Sequence, residues 1–342
     1  MDKMNSDKSL VTESPFVGQW GMIAGSSEHL FYAGSKKRQN QNYLDFNAII
    51  DTFVEQRAHS VDLEEDVVFE TEKLKSGRFV ASWKSKNNDY NFIFLNGLGT
   101  GATTLCFLGQ YCVSHNANLY ALDRAGSGLN SVDKPNILEW VKDIQEVSNI
   151  NTGKKRNVLI SQCFSTGLTA KAVYESQNLV DKVVYVTPSF HIFYQPSLKE
   201  NLSIFLDFVK KKTRPHHNPV PLFAYLDDEN MVKFLENDPL FTYGPTSQTL
   251  VYGKFLIKNA QKAMSKTRQG FDVILAKNDK VVDNTQTKKT IEQIKQKRKN
   301  LKRDSGSCIN VHIIDCEHYI PLQPKKFEQF IEICTRGLEN DK

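Results

Sequence analysis

Residues 157–176, NVLISQCFSTGLTAKAVYES, carry an apolar strand, a short turn and a helix in direct succession. The first four residues, 157–160, are typical of a buried strand, and residues 167–176 have helical character. The residues between them are mostly small or polar, and they leave Cys163 where the strand gives way to the helix. Such a sharp turn lifts one side chain above a sheet, and the N–H groups that follow can stabilise an anion. The stretch therefore predicts a nucleophile elbow built around a thiol.

The rest of the chain repeats the alternation of buried strands and helices. Short apolar runs, typical of strands buried on both faces of a parallel sheet, occur at 92–95, 119–122, 158–160, 183–186, 273–276 and 311–314. Helical patterns lie between them at 137–147, 166–176, 285–302 and 325–336. Two further strands, 67–73 and 79–83, are predicted to form an antiparallel hairpin. We therefore expect an α/β protein with a mostly parallel eight-stranded sheet flanked by helices.

One long segment, residues 189–269, interrupts this alternation. It holds six prolines among helical fragments, and prolines break or kink helices. The segment is therefore predicted to be a helical cap inserted into the sheet domain, whose two parts would be residues 67–188 and 270–342. Residues 1–66 are expected to form an N-terminal extension that packs on the core or on the cap.

Composition predicts an ordinary globular protein. The chain has 342 residues, of which 40% are hydrophobic and 24% are charged, enough for one core and a smaller appended subdomain. The N-terminus has no apolar signal region and no window approaches a membrane span, so a cytoplasmic location is expected. Six cysteines without CxxC spacing indicate neither a disulfide framework nor a zinc site. No metal, cofactor or nucleic-acid partner is expected, and the sequence does not indicate an oligomeric state.

A glycine-rich loop, NGLGTG at 96–101, follows the strand 92–95. Backbone N–H groups of such a loop can bind an oxyanion together with the N–H that follows the elbow nucleophile. We predict Leu98 and Phe164 as these donors. The alternative is that the glycines only form a tight turn. Candidate substrate-binding residues are Asn96, Gly97, Phe190 and His191.

The elbow itself allows two alternatives to a Cys163 nucleophile. Ser165 could take the role in a shifted register, and Cys163 could be a buried structural thiol. The shifted register would leave the polar Ser161 and Gln162 inside the strand, whereas the apolar residues 158–160 lead directly into Ser161 in the first register. The sequence therefore favours Cys163.

Several sequence motifs, taken in order, resemble those of one protein superfamily. They are LNGLG (95–99), DRAGSGLNS (123–131), the turn at Cys163, NDPL (237–240), NDKVVDN (278–284) and EHYIP (317–321). In order and spacing, residues 67–338 resemble the α/β-hydrolase superfamily, and within it the monoacylglycerol lipase and lysophospholipase branch. The chain departs from that branch in having Asn96 for a histidine, Ala125 for a glycine, and Ser-Cys-Ser for Gly-Ser-Gly at the elbow. The elbow cysteine is similar to that of dienelactone hydrolases and polyhydroxyalkanoate synthases.

The resemblance implies a triad of Cys163, Asp279 and His318. Position in the chain favours the same residues, because Asp279 and His318 each follow a predicted strand, and reactive groups gather beyond the carboxyl ends of parallel strands. The order nucleophile, acid, base also fits. Asp283 is the alternative acid, although its place before a helix predicts an N-cap.

A thiol nucleophile favours acyl transfer or thioester cleavage. We therefore expect a thioesterase, esterase or acyltransferase that forms a cysteinyl acyl-enzyme from an acyl ester or thioester. The basic stretch 288–303 would attract the phosphates of an acyl-CoA or an acidic acyl carrier protein, or it is simply a solvated helix face. The alternative function is a non-catalytic binding protein or receptor for a small apolar ligand, because fold does not fix function.

Overall fold

A computed structural model describes residues 68–150, 155–238, 240–301 and 308–338. The expected N-terminal extension, residues 1–66, lies outside these described residues, as do Lys302 and Arg303 at the end of the basic stretch.

The strands of the described residues form one eight-stranded sheet in the order β1-β2-β4-β3-β5-β6-β7-β8. They are β1 Val68–Lys73, β2 Phe79–Lys84, β3 Tyr90–Leu95, β4 Ala117–Leu122, β5 Arg156–Gln162, β6 Lys182–Val186, β7 Phe271–Ala276 and β8 Ile309–Ile314. β2 pairs antiparallel with both β1 and β4, and the remaining pairs are parallel. The predicted mostly parallel sheet is confirmed.

Helices connect these strands. They are α1 Cys106–Ser114, α2 Ile137–Ser148, α3 Thr166–Glu175, α4 Leu198–Val209, α5 Glu229–Glu236, α6 Ser247–Lys266, α7 Asn284–Asn300 and α8 Phe327–Thr335. Of the helices in the described ranges, none is both long and apolar enough to cross a bilayer.

Two apolar layers cover the sheet. On one face, α1 and α8 pack side chains such as Leu108 and Phe330 against the strands. On the other face, α2, α3, α6 and α7 contribute residues such as Ile144, Leu168 and Ile294. Burial on both faces explains why the strands have nearly continuous apolar sequences. The carboxyl ends of the parallel strands therefore form one edge at which the connecting loops meet.

The predicted cap contains α4, α5 and α6, which lie between β6 and β7. α6 is not separate from the core, because its residues Leu256, Ala260 and Met264 are buried in the same apolar layer as α3. Helix α6 therefore covers the sheet. The prediction that residues 189–269 form a cap separate from the core is wrong for α6.

Candidate active site

The turn after β5 has its apex at Cys163. The backbone φ of this residue is 44°, in the left-handed region that non-glycine residues rarely adopt. A 3-10 turn, Cys163–Ser165, leads directly into α3. The carbonyl of Cys163 accepts hydrogen bonds from Thr166 Oγ1 at 2.6 Å and Ser189 Oγ at 2.9 Å. The side chain of a half-buried cysteine is thereby held at a strained strand-to-helix turn.

Ser165, the alternative nucleophile, is fully buried. Its hydroxyl donates to the carbonyl of Asn96 at 2.5 Å and accepts from Arg124 Nη1 at 3.0 Å. The expectation that Ser161 and Gln162 lie beyond the strand is wrong, because β5 runs through both residues. The residue with a left-handed backbone conformation, at the apex of the turn, is nevertheless Cys163.

His318 and Asp279 form a buried pair beyond the ends of β8 and β7. Nδ1 of His318 lies 2.9 Å from both carboxylate oxygens of Asp279. The side chains are 1% and 0% exposed. Asp279 Oδ1 also accepts from the N–H groups of Val281 and Val282, each at 2.8 Å, which fixes the carboxylate toward the imidazole. The Asp283 side chain instead accepts from the N–H groups of Thr285 and Gln286 as the N-cap of α7.

The imidazole of His318 also interacts with the side chain of Cys163. Burial alone would lower the pKa of His318, but the charges of Asp279 and of a Cys163 thiolate, with the hydrogen bond to Asp279, raise that pKa to about 10. The geometry thus brings Cys163, His318 and Asp279 into one connected group.

The glycine-rich loop after β3 lies against this group. A Cβ built on Gly97 would be 3.8 Å from Cys163 Cβ, so the peptide that leads to Leu98 is close to the thiol. Phe164 lies in the 3-10 turn, where the first N–H groups have no intrahelical partner. Both predicted oxyanion donors therefore belong to segments that meet at Cys163.

Asn96 is hydrogen-bonded to neighbouring parts of the protein. It is buried, its Nδ2 donates to Asp123 Oδ1 at 3.2 Å, and its Oδ1 accepts from the hydroxyl of Tyr319 at 3.1 Å. The side chain is thus used to join the loop to its neighbours. The predicted substrate contact of Asn96 stays a prediction.

Phe190 and His191 lie at the start of the inserted segment. The ring of Phe190 packs against the sheet core. His191 is exposed, and its Nε2 lies 2.9 Å from Thr290 Oγ1 on α7. The structure therefore places His191 on the surface of α7 and not with the Cys163 group.

Two residues of the site were not given these contacts from the sequence. Gln162 Nε2 donates to Thr187 Oγ1 at 2.8 Å and to the carbonyl of His318 at 3.0 Å, and so joins the elbow to the base loop. The ring of Tyr225 lies edge-on to His318 at 5.7 Å between centroids. Gln162 lies in the elbow stretch, but the contacts of both residues link distant parts of the chain, so the sequence carried no signal for these contacts.

A family model described as serine aminopeptidase, S33, matches residues 86–308, more than half of the chain. The chain belongs to this S33 family. The matched part of this chain includes Cys163 and Asp279 and ends before His318. The chain is therefore an α/β hydrolase, as its motifs predicted, although a cysteine stands at its turn in a family named for serine. No curated protein sequence matches it.

Solved structures similar to this chain confirm the fold. The monoacylglycerol lipase of Paleococcus ferrophilus is 14% identical with a TM-score of 0.60, and the match covers 78% of this chain and 95% of the lipase. A soluble variant of monoglyceride lipase from Saccharomyces cerevisiae is 10% identical with a TM-score of 0.59, over 78% and 94%. The thioesterase domain from the curacin biosynthetic pathway is 12% identical with a TM-score of 0.52, over 78% and 98%. At these identities the likeness concerns the fold alone.

Proposed function

We propose that the protein is an acyl-transfer enzyme, a thioesterase or esterase, in which Cys163 forms a covalent acyl intermediate. One observation carries the proposal: Cys163, at a left-handed turn, interacts with a buried imidazole that Asp279 contacts through both carboxylate oxygens. Covalent acyl transfer needs a nucleophile, a base in contact with it, and a group that orients the base. Cys163, His318 and Asp279 take these roles in that order.

The acylation step begins with the thiolate of Cys163. Its sulfur attacks the carbonyl carbon of the acyl substrate, and the carbonyl electron pair moves onto the oxygen. The N–H groups of Leu98 and Phe164 donate to this oxyanion. Because Nδ1 of His318 is bonded to Asp279, Nε2 carries the proton that passes to the departing alcohol or thiol. A thioester between Cys163 and the acyl group results.

In deacylation, His318 acts as a base instead of an acid. Neutral His318 takes a proton from water, and the resulting hydroxide attacks the thioester carbonyl. Collapse of the second tetrahedral intermediate releases the carboxylic acid and returns Cys163 as the thiolate. If an alcohol, amine or thiol replaces the water, the same steps give an acyltransferase.

The nucleophile sets which substrates should react fastest. A protonated imidazole stabilises a neighbouring thiolate as an ion pair, and the raised pKa of His318 favours the protonated imidazole. A thiolate also exchanges readily with a thioester, because a thiolate leaves more easily than an alkoxide. We therefore expect thioesters to acylate the protein faster than oxygen esters of the same acyl chain.

The test compares hydrolysis of a thioester and an oxygen ester with one acyl chain. We expect Cys163→Ala to lower both rates by roughly a thousandfold or more, and Ser165→Ala to retain thiol-dependent turnover. His318→Ala should lose most of the acylation rate. Activity that survives in Cys163→Ala but disappears in Ser165→Ala would contradict the proposal. Binding of an apolar ester without any turnover would favour the binding-protein alternative.

A further inference from the structure

Helix α4 turns its most apolar side chains toward solvent. The exposed fractions are 91% for Leu198, 59% for Leu202, 56% for Phe205, 44% for Leu206 and 60% for Val209. These positions follow the spacing of a single helix face. The opposite face buries Ile204 and the acidic Asp207. A helix on a soluble protein usually has the reverse arrangement, and an exposed apolar face of this kind marks an interaction site.

Helix α6 lies beside α4 and is basic. The rings of Phe208 and Tyr252 meet edge-on at 5.7 Å, and Lys254 Nζ lies 3.5 Å from Asn201 Oδ1, so the two helices pack side by side. Lys254, Lys258 and Lys262 are exposed and repeat every four residues on α6. The twenty residues of α6 include no aspartate or glutamate.

Together these side chains form what we call the basic–apolar face. It consists of Leu198, Leu202, Phe205, Leu206, Val209, Lys254, Phe255, Lys258 and Lys262. Phe255 is 56% exposed among the lysines. The exposed Lys210, Lys211 and Lys212 continue the positive charge past the end of α4. An apolar stripe flanked by lysines is the pattern of a helix that lies in a membrane interface.

The inner side of α6 contacts the elbow. A Cβ built on Gly167 of α3 would lie 2.5 Å from the carbonyl carbon of Leu256. A Cβ on Gly253 would overlap the ring of Phe164, next to Cys163. One helix therefore carries the lysines on its outer side and supports the turn on its inner side.

We propose that the basic–apolar face binds the surface of an anionic lipid bilayer. The large apolar side chains enter the boundary between headgroups and acyl chains, and the lysines contact negatively charged headgroups. A second copy of the chain fits less well, because a two-fold interface would bring the lysines of the two copies together. An acidic carrier protein would pair with the lysines but would not require the apolar stripe along α4. The proposal concerns association with a bilayer and does not depend on acyl transfer.

The test is co-sedimentation of the full chain with vesicles of phosphatidylcholine, with and without phosphatidylglycerol. We expect binding to the vesicles that contain phosphatidylglycerol, and weaker binding as salt is added. Leu202→Ser with Phe205→Ser should lower the partition coefficient by about tenfold or more. Lys254→Gln with Lys258→Gln should lower it by about tenfold. All four side chains are exposed, and circular dichroism would check that the fold is retained.

Control variants replace a phenylalanine, or two lysines, that lie outside the basic–apolar face. Phe223→Ser changes a phenylalanine that is 62% exposed outside α4 and α6. Lys75→Gln with Lys325→Gln removes two exposed lysines from the β1–β2 turn and from the segment before α8. Both controls should bind vesicles like the wild type.

Several results would overturn the proposal. One is a wild type that binds neither kind of vesicle, and another is an equal loss in the control variants. Equal binding to vesicles without phosphatidylglycerol would remove the role of the lysines. Light scattering that shows a dimer lost in Leu202→Ser with Phe205→Ser would assign the face to a second copy. Binding of an acyl carrier protein, without vesicle binding, would assign it to that partner.

Discussion

Arg124 contacts both segments that meet at Cys163. Its Nη1 donates to the carbonyl of Asn96 at 2.7 Å, and its Nη2 donates to the carbonyl of Gly97 at 2.8 Å. The guanidinium lies 4.8 Å from the centre of the Phe164 ring. Arg124 is buried, and its charge interacts with Cys163. It is therefore a positioning residue for the two proposed oxyanion donors, which lie in these segments.

Arg124→Lys should lower the free energy of unfolding by about 2 kcal/mol. The ammonium group of lysine cannot replace the hydrogen bonds that the planar guanidinium makes in this buried site. We expect acylation to slow by about tenfold. In Arg124→Met, where the charge is gone, alkylation of Cys163 by iodoacetamide should be slower than in the wild type. Arg336→Lys, at an exposed ion pair, is the control. An alkylation rate equal to that of the wild type would mean that Arg124 is only structural.

Cys163→Ser should lower the pKa of His318. The negative charge of a Cys163 thiolate is one cause of the raised pKa, and a serine hydroxyl does not ionise at neutral pH. The wild-type imidazole should therefore stay protonated to higher pH than the imidazole of the variant. An NMR titration of the His318 ring protons measures both values. Equal values would show that Cys163 is not a thiolate next to His318.

The residues of the proposed triad could be predicted because each follows a strand of the sheet. Cys163, Asp279 and His318 come after β5, β7 and β8, and the carboxyl ends of these strands meet at one edge. Gln162 and Tyr225 could not be predicted in the same way. Their contacts depend on side-chain directions across the sheet and the cap, which no spacing in the sequence records.

Helices α3 and α6 approach each other closely at Gly167. A Cβ on this residue would lie 2.5 Å from the carbonyl carbon of Leu256 and 2.6 Å from the nitrogen of Ile257. Both are backbone atoms, so no side-chain rotation can relieve the contact. The start of α3, which carries the elbow, is therefore held in place by the packing of α6.

Gly167→Ala should destabilise the protein by about 2 kcal/mol, because overpacking between backbones outweighs the better helix propensity of alanine. The acylation rate should fall as well, since α3 must shift. Urea unfolding and acylation kinetics measure the two effects. Lys171→Ala, on the outer side of α3, should change stability by less than about 0.5 kcal/mol. A more stable Gly167→Ala variant would show that the helices separate freely.

Other elements show where sequence patterns stop being informative. α1 was not predicted, because six of its nine residues are buried and it has no polar face to give a helical period. β5 continues through Ser161 and Gln162, which are polar and buried. The amide of Gln162 has hydrogen-bond partners in that position, so a polar residue does not end the strand. α6 was assigned to the cap because prolines precede it, but its apolar side packs on the sheet.

At the scale of the whole molecule, the His318–Asp279 pair is buried between the sheet edge and the inserted segment. Tyr225 from that segment contacts His318, and the N–H of Tyr319 donates to the carbonyl of Tyr225 at 3.2 Å. Global stability is therefore linked to the protonation of His318. Its pKa in the folded protein is raised to about 10 from an ordinary 6.5.

This linkage sets the direction of a pH effect. A group with a raised pKa stabilises the fold fully below its unfolded value, and this contribution is lost as the pH rises through the folded value. We expect His318→Gln to lower the free energy of unfolding by about 3 kcal/mol at mildly acidic pH. The difference from the wild type should shrink between pH 6.5 and about 10. Urea unfolding across this range measures it, and a difference that does not change with pH would contradict the assignment.

Intact mass spectrometry after incubation with an activated acyl thioester tests the role of Cys163 most directly. The wild type and Ser165→Ala should gain the mass of one acyl group, and peptide mapping should place it on Cys163. Cys163→Ala should gain none, and His318→Ala should gain it slowly. An acyl group that persists in Cys163→Ala and disappears in Ser165→Ala would contradict the cysteinyl acyl-enzyme.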